Sequence, residues 1–467
     1  MRFFPWSPEP LRRLFVLFLL LPATLPSQTP PAPQATAGRI AFEQFILPNG
    51  LRVIYSEDHS TPIVTVDVWY EVGSRNERPG RSGFAHLFEH MMFEGSAHVK
   101  KSEHGQLVER AGGTYNGSTA EDRTNYFETV PSNRLNLALW LEADRMRSLA
   151  ITEQSFENQR QAVKEERRLR VDNQPYAAAF SDGLTWPFDS TTCFPYAHTV
   201  IGSMADLDAA KLPDVQAFFD TYYAPNNATL IVVGDFAPGE LRRLVNQYFA
   251  GVPSHAAPES PRCDVAAGKG PVRREVHDAQ ANLDLVMRLY RIPEHRNADT
   301  PALEILNIIL GQGESSRLNV SVVRRERAAV GAGSILNPFG SRNGPGVMAA
   351  YGIVNQGVKA DRLDSLLSIQ LDSIRANGIT PAELDKAKNV LRSGFIDTRE
   401  TTLGKAEELH HYLTFHPSID EINTDLDHLL AVTSDDVKRV ANAYLAPGNL
   451  TLLIVRAGAG PSSGGGQ

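Results

Sequence analysis

Two stretches far apart in the chain carry one pattern. "DVQAFFDTYYAPNNATLIVVGD" begins at Asp214 and "DVKRVANAYLAPGNLTLLIVRA" begins at Asp436. Asp-Val, then Tyr, Ala-Pro, Asn and Thr-Leu recur at one constant offset. Each stretch reads as an amphipathic helix, a proline turn and a β-branched strand. A shared run of this length implies two copies of one α+β unit, each a mainly antiparallel sheet packed with helices. Strand-like alternation opens both copies: "GLRVIYSED" and "PIVTVDVWYEVGS" in the first, "NLDLVMRLYRIP" in the second. The turn-rich segment Gly251 to Pro271 reads as the linker between them. This divides the chain into a leader over residues 1–37, a first domain over 38–250, a linker over 251–271, a second domain over 272–456, and a low-complexity tail over 457–467 expected to be disordered.

The leader has Arg2, Arg12 and Arg13 ahead of an apolar run from Leu14 to Leu21 and a proline-rich end. That run is far shorter than the ~20 apolar residues needed to span a bilayer as a helix. It reads as a secretory signal peptide, so no stable transmembrane span is expected and export is. Cys193 and Cys263 could pair in an oxidising compartment, and no Cys-rich zinc module is present. With 42% hydrophobic and 21% charged residues the chain has the composition of a globular protein. A net charge of −8 argues against nucleic acid as partner, since there is no basic excess to displace counterions.

The chemistry concentrates in "GFAHLFEHMMFEGS". On a helix His86 and His90 stand one turn apart on one face, a spacing that suits two corners of a tetrahedral zinc site. Glu89 lies beside them, placed to take a proton from water. This is the inverted zinc-protease pattern, His-x-x-Glu-His. A polar helix edge is the bland alternative. Against it, the histidines are embedded among Phe84, Leu87, Phe88, Met91, Met92 and Phe93. A third ligand is needed, and the acidic helix "TEQSFENQRQAVKEERRLRVDNQP" offers Glu157, Glu165 and Glu166, among which the residues alone do not choose.

The HLFEH motif following "YEVGSRNERPGRSGFA", with "ENQRQAVKEE" downstream, resembles the pitrilysin-type zinc peptidases, a group that includes insulin-degrading enzyme, mitochondrial processing peptidase and bacterial periplasmic homologues. The likeness runs from about Phe42 to Val455 and includes the internal duplication. It implies Zn2+ held by His86, His90 and Glu166, with Glu89 as general base. It also implies that "GGTYNGSTAEDRTNYFETV" forms an edge strand on which Asn116, Gly117, Ser118 and Thr119 pair with a substrate peptide. Two departures stand out. Gln159 occupies the position of a supporting glutamate. In the second domain, Arg325 matches a substrate-holding arginine, but Ala332 stands where its companion tyrosine belongs. Family members enclose unfolded peptides in a clamshell of four such domains, so this chain is expected to be half of one. The missing tyrosine favours a heterodimer with a related subunit that supplies the Arg/Tyr pair, a homodimer being the alternative. The implied activity is a zinc-dependent endopeptidase in the periplasm; the rival reading is a non-catalytic member acting as a peptide-binding or structural scaffold.

Overall fold

Strands of the first half are β1 (Glu43–Ile46), β2 (Arg52–Glu57), β3 (Ile63–Tyr70), β4 (Thr114–Thr119), β5 (Thr124–Pro131) and β6 (Ala228–Gly234). The computed structural model describes residues 38–264, 270–337, 342 and 344–458. The leader and all but the first residues of the tail lie outside this range. The six strands make one sheet in the order β1-β2-β6-β3-β5-β4. β2 and β6 run parallel, and every other neighbouring pair is antiparallel.

Strands of the second half are β7 (Val272–Asp278), β8 (Leu285–Ile292), β9 (Ala329–Leu336), β10 (Gly346–Val354) and β11 (Leu450–Ala457). Their order is β7-β11-β8-β10-β9, with β7 and β11 parallel and the rest antiparallel. Apart from β1, the two sheets share one topology. β6 and β11 hold the same place, each preceded by a helix, Leu212–Tyr222 or Ser434–Tyr444, and a proline turn. The repeat in the sequence is a repeat in the fold.

Neither half covers both faces of its own sheet. One face of the first sheet packs on its own helices through Val66, Val68, Phe88, Leu139 and Phe219. The opposite face, with Ile54, Trp69, Ile231 and Val233, is covered by Ala406, Leu409 and Tyr412 of the helix Thr402–Phe415. In return, Phe180 and Leu184 of the helix Ala177–Thr185 cover Leu285, Met287, Leu289 and Leu453 of the second sheet. Each half lends the other a helix. Burial on both faces leaves β6 a nearly unbroken apolar run and buries β3 along almost its whole length, including the Thr65 and Asp67 that alternate with its valines. At about 1.5–3 kcal/mol for each fully buried large apolar side chain, this exchanged packing holds the halves together strongly.

The segment after the first half is tied down at Cys263 and Asp264. Cys263 is disulfide-bonded to Cys193, and the amide of Asp264 donates to the Thr192 carbonyl at 2.9 Å. Among the described residues no helix is long and apolar enough to cross a membrane.

Candidate active site

The helix Phe84–Met91 starts at Gly83, whose φ of 88° lies in the left-handed region. A side chain there would also bring its Cβ to 2.9 Å from the Ile201 carbonyl oxygen. The first amides of the helix are satisfied by Glu77, whose carboxylate accepts from Gly83 and Ala85 at 2.8 Å each. A carboxylate so placed also complements the positive end of the helix. Burial raises the pKa of Glu77, and His198, 3.0 Å away, favours its charged form. Phe84, Ala85, Leu87, Phe88 and Met91 form the buried face. The same helical phase turns His86, Glu89 and His90 to the other side, where all three line a cavity of about 970 Å³.

The second helix, Glu153–Arg167, is capped by Thr152, whose Oγ1 accepts from the Ser155 amide at 3.1 Å. Its buried residues Phe156 and Val163 fix its rotation, which directs Gln159 and Glu166 toward the histidines. Glu166 Oε2 lies 3.4 Å from His86 Nε2 and 3.2 Å from His90 Nε2. The two rings are 4.9 Å apart and nearly perpendicular, at 88°. Glu157 instead pairs with Arg160, and exposed Glu165 with Arg168 at 3.0 Å. Of the three acidic candidates, packing brings Glu166 up to the two histidines.

This donor set fits a zinc ion. One ligand atom from each of His86, His90 and Glu166 lies within 4.8 Å of the others. Burial, with His90 adding to it, lowers the pKa of His86 to about 4, so its imidazole is neutral, as a metal ligand must be. Two imidazoles and a carboxylate on rigid helices are an ordinary zinc donor set. Glu89 projects beside them. Its Oε2 accepts from Thr119 Oγ1 at 2.7 Å. Burial raises its pKa, and the Thr119 hydroxyl opposes that rise.

β4 is the last strand of its sheet, hydrogen-bonded only to β5. Asn116, Gly117, Ser118 and Thr119 line the same cavity as the histidines. An open strand edge there can accept an extended peptide as a further strand. Gly117 keeps the approach close: a Cβ on it would stand 3.2 Å from Glu89 Cγ. The second half contributes Asn337, Pro345, Gly346 and Val347 to the wall. Arg325 is not among the lining residues. It ends the helical turn Asn319–Arg325 with its side chain largely in solvent, 3.7 Å from Glu326, and Ala332 sits in β9 opposite Gly352.

Behind the site the sequence pointed to Gln159 but not to Glu94, Lys101 or Arg170. Gln159 Oε1 is 3.2 Å from His90 Nδ1, and its amide donates to Glu94 Oε1 at 2.5 Å. Glu94 in turn pairs with Lys101 at 2.9 Å. Arg170 pairs with Glu166 Oε1 at 3.0 Å. Only Gln159, as a departure from the family pattern, carried a signal.

Residues 52–184 match the family model described as Insulinase (Peptidase family M16), and residues 210–391 match that described as Peptidase M16 inactive domain. The chain is 33% identical to the zinc protease PqqE of Helicobacter pylori over 89% of its own length and 92% of the relative. It is 26% identical to a probable mitochondrial-processing peptidase subunit beta of Arabidopsis thaliana, over 85% and 75% of the two chains. Among solved structures, a protease from Helicobacter pylori superposes with a TM-score of 0.84 at 31% identity, covering 90% of this chain and 100% of that one. Pitrilysin shares the fold at a TM-score of 0.72 and 19% identity, this chain spanning 46% of its length. With the duplicated sheets and this level of likeness together, the chain belongs to the insulinase family of peptidases, family M16.

Proposed function

We propose that this chain is a zinc-dependent endopeptidase subunit that hydrolyses unfolded peptides. The observation that carries the reading is the convergence of His86, His90 and Glu166 next to Glu89, on a cavity walled by an open strand edge. Zinc bound by His86, His90 and Glu166 would supply Lewis-acid polarisation of the scissile carbonyl and a more acidic water. Glu89 orients the attacking water through its remaining carboxylate oxygen while Thr119 holds Oε2. It takes a proton from that water as the oxygen adds to the carbonyl carbon, and delivers it to the amine nitrogen as the C–N bond breaks. Asn116, Gly117, Ser118 and Thr119 hold the peptide backbone along β4.

Residues 38–250 and 272–456 act as two domains, half of a four-domain clamshell. Since the position of the substrate-holding tyrosine is Ala332, the partner half is a related subunit that brings its own Arg/Tyr pair. Arg325 does not line this chain's own cavity, and its side chain is largely exposed. The leader directs export to the periplasm, and the Cys193–Cys263 disulfide suits that oxidising compartment. The rival, a non-catalytic scaffold, is favoured only by Ala332.

The test is hydrolysis of a quenched fluorescent peptide by the mature chain, alone and mixed with related subunits, with zinc content measured in each sample. Turnover only on mixing supports the heterodimer. Full turnover by the chain alone overturns it and leaves a homodimer, and zinc-loaded protein inert in every mixture favours the scaffold.

A further inference from the structure

A second group of converging ligands lies away from the cavity of the HLFEH helix. His295 follows β8; His411 lies in the helix Thr402–Phe415, and His416 ends it. One ring nitrogen from each lies within 4.8 Å of the other two. The ring centroids of His295 are 5.0 Å from those of His411 and 5.5 Å from those of His416, and His411 and His416 are 5.4 Å apart. All three residues are partly buried.

From this geometry we infer that His295, His411 and His416 form a second metal site, one that takes a divalent transition-metal ion of the zinc class. Three imidazoles are a donor set that zinc, copper and nickel ions all accept. Glu421 supports the arrangement, with Oε2 3.2 Å from His416 Nδ1. A carboxylate that accepts the Nδ1 proton leaves the lone pair on Nε2, the usual backing of a metal-bound histidine. His295 also lines a cavity of about 260 Å³, together with Thr300, Glu304 and Asn307. The remaining cluster of this kind among the described residues, His104, Glu128 and Glu142, differs in that Arg145 already supplies its positive charge.

The placement gives the site a role. His411 and His416 belong to the helix that the second half lends to the first sheet, whereas His295 hangs from a strand of the second sheet. Arg296 Nη2 donates to the Thr414 carbonyl at 2.8 Å and already ties the same two segments. A cation held by all three histidines clamps the exchanged helix to its own half, and so stabilises the contact between the two halves. Peptidase activity plays no part in this.

The experiment counts zinc. The full chain, its His86→Ala/His90→Ala variant, and that variant carrying either His416→Gln or His295→Gln are loaded with zinc, dialysed and analysed for metal by mass spectrometry. Melting temperatures are recorded with and without zinc. The site predicts one zinc retained per chain in the His86→Ala/His90→Ala background and a rise of several degrees in melting temperature. Both vanish in either glutamine variant, while the metal-free melting temperature stays close to that of the parent. The two glutamine positions lie on different segments, so failure of one to fold leaves the other as the test. Absence of retained zinc in the His86→Ala/His90→Ala background overturns the site. So does zinc binding there that neither glutamine variant reduces.

Discussion

Gln159 stands between His90 and Glu94, its Oε1 3.2 Å from His90 Nδ1 and its Nε2 2.5 Å from Glu94 Oε1. The resemblance to the family implies a supporting glutamate at position 159. Here a neutral amide occupies that position and the carboxylate lies one residue further back, held by Lys101. The amide can pass on orientation, because its oxygen accepts only from a protonated Nδ1 and so leaves the Nε2 lone pair toward Glu166. It passes on less charge than a carboxylate would.

Gln159→Ala removes the acceptor that sets the His90 tautomer. Zinc affinity, measured by competition with a chromophoric chelator, is expected to fall about 10–100-fold. An unchanged affinity would show that His90 is oriented by packing alone.

Glu89→Gln keeps the volume and the Thr119 contact but removes the base. Peptide turnover is expected to drop by about 10²–10⁴-fold. Zinc content should match that of the parent, and a parallel loss of zinc would mean that Glu89 serves the metal rather than the water.

Thr119→Val removes the hydroxyl that donates to Glu89 Oε2. That bond favours the ionised carboxylate, so its loss raises the pKa of Glu89 further. The base works only when ionised. The acidic limb of the kcat/KM profile should therefore move to higher pH, with the plateau above it little changed. A limb that stays in place would assign it to another group.

Glu121 supplies a pH-dependent stability effect. Burial pushes its carboxyl up to about 8, and its Oε2 is buried without a hydrogen-bond partner. In an unfolded chain a glutamate ionises near ~4.3, so between these values the folded protein binds more protons than the unfolded one. Its contribution to stability is present in full below ~4.3 and is lost as pH rises toward 8, at no more than about 1.4 kcal/mol per pH unit. Glu121→Gln should thus gain stability over the parent at pH 8 relative to pH 5 in urea unfolding. Equal pH dependence in the two proteins would refute the assignment.

Leu409 tests the exchanged helix. It is fully buried against the first sheet and does not line the cavity of the HLFEH site. Leu409→Ala is expected to cost about 2–5 kcal/mol in urea unfolding. A loss below 1 kcal/mol would mean that the helix contributes little to joining the halves.

Local patterns were legible before any coordinates. Apolar spacing marks the helix at His86 and His90, because within one helix the separation of residues fixes which side chains share a face. The repeated helix, proline turn and strand announce two sheets of one topology for the same reason: each signal spans a few turns of chain. The resemblance to the family then placed Glu166 among three acidic neighbours, a choice that the residues alone left open. In the fold that choice follows from the rotation of the Glu153–Arg167 helix on Phe156 and Val163.

Tertiary structure decided what joins distant segments. Nothing in the residues of Thr402–Phe415 says that Ala406, Leu409 and Tyr412 are buried on the sheet of the other half. The sequence allowed Cys193 and Cys263 to pair, and only the fold brings them together. His90, Gln159 and Glu94 become one chain of contacts because two helices pack together, and His295 meets His411 and His416 because the helix Thr402–Phe415 packs beside the end of β8. Periodicity records which way a side chain faces within its own element. The neighbour it meets is set by how hydrophobic burial is shared over the whole molecule, and no short window of sequence contains that information.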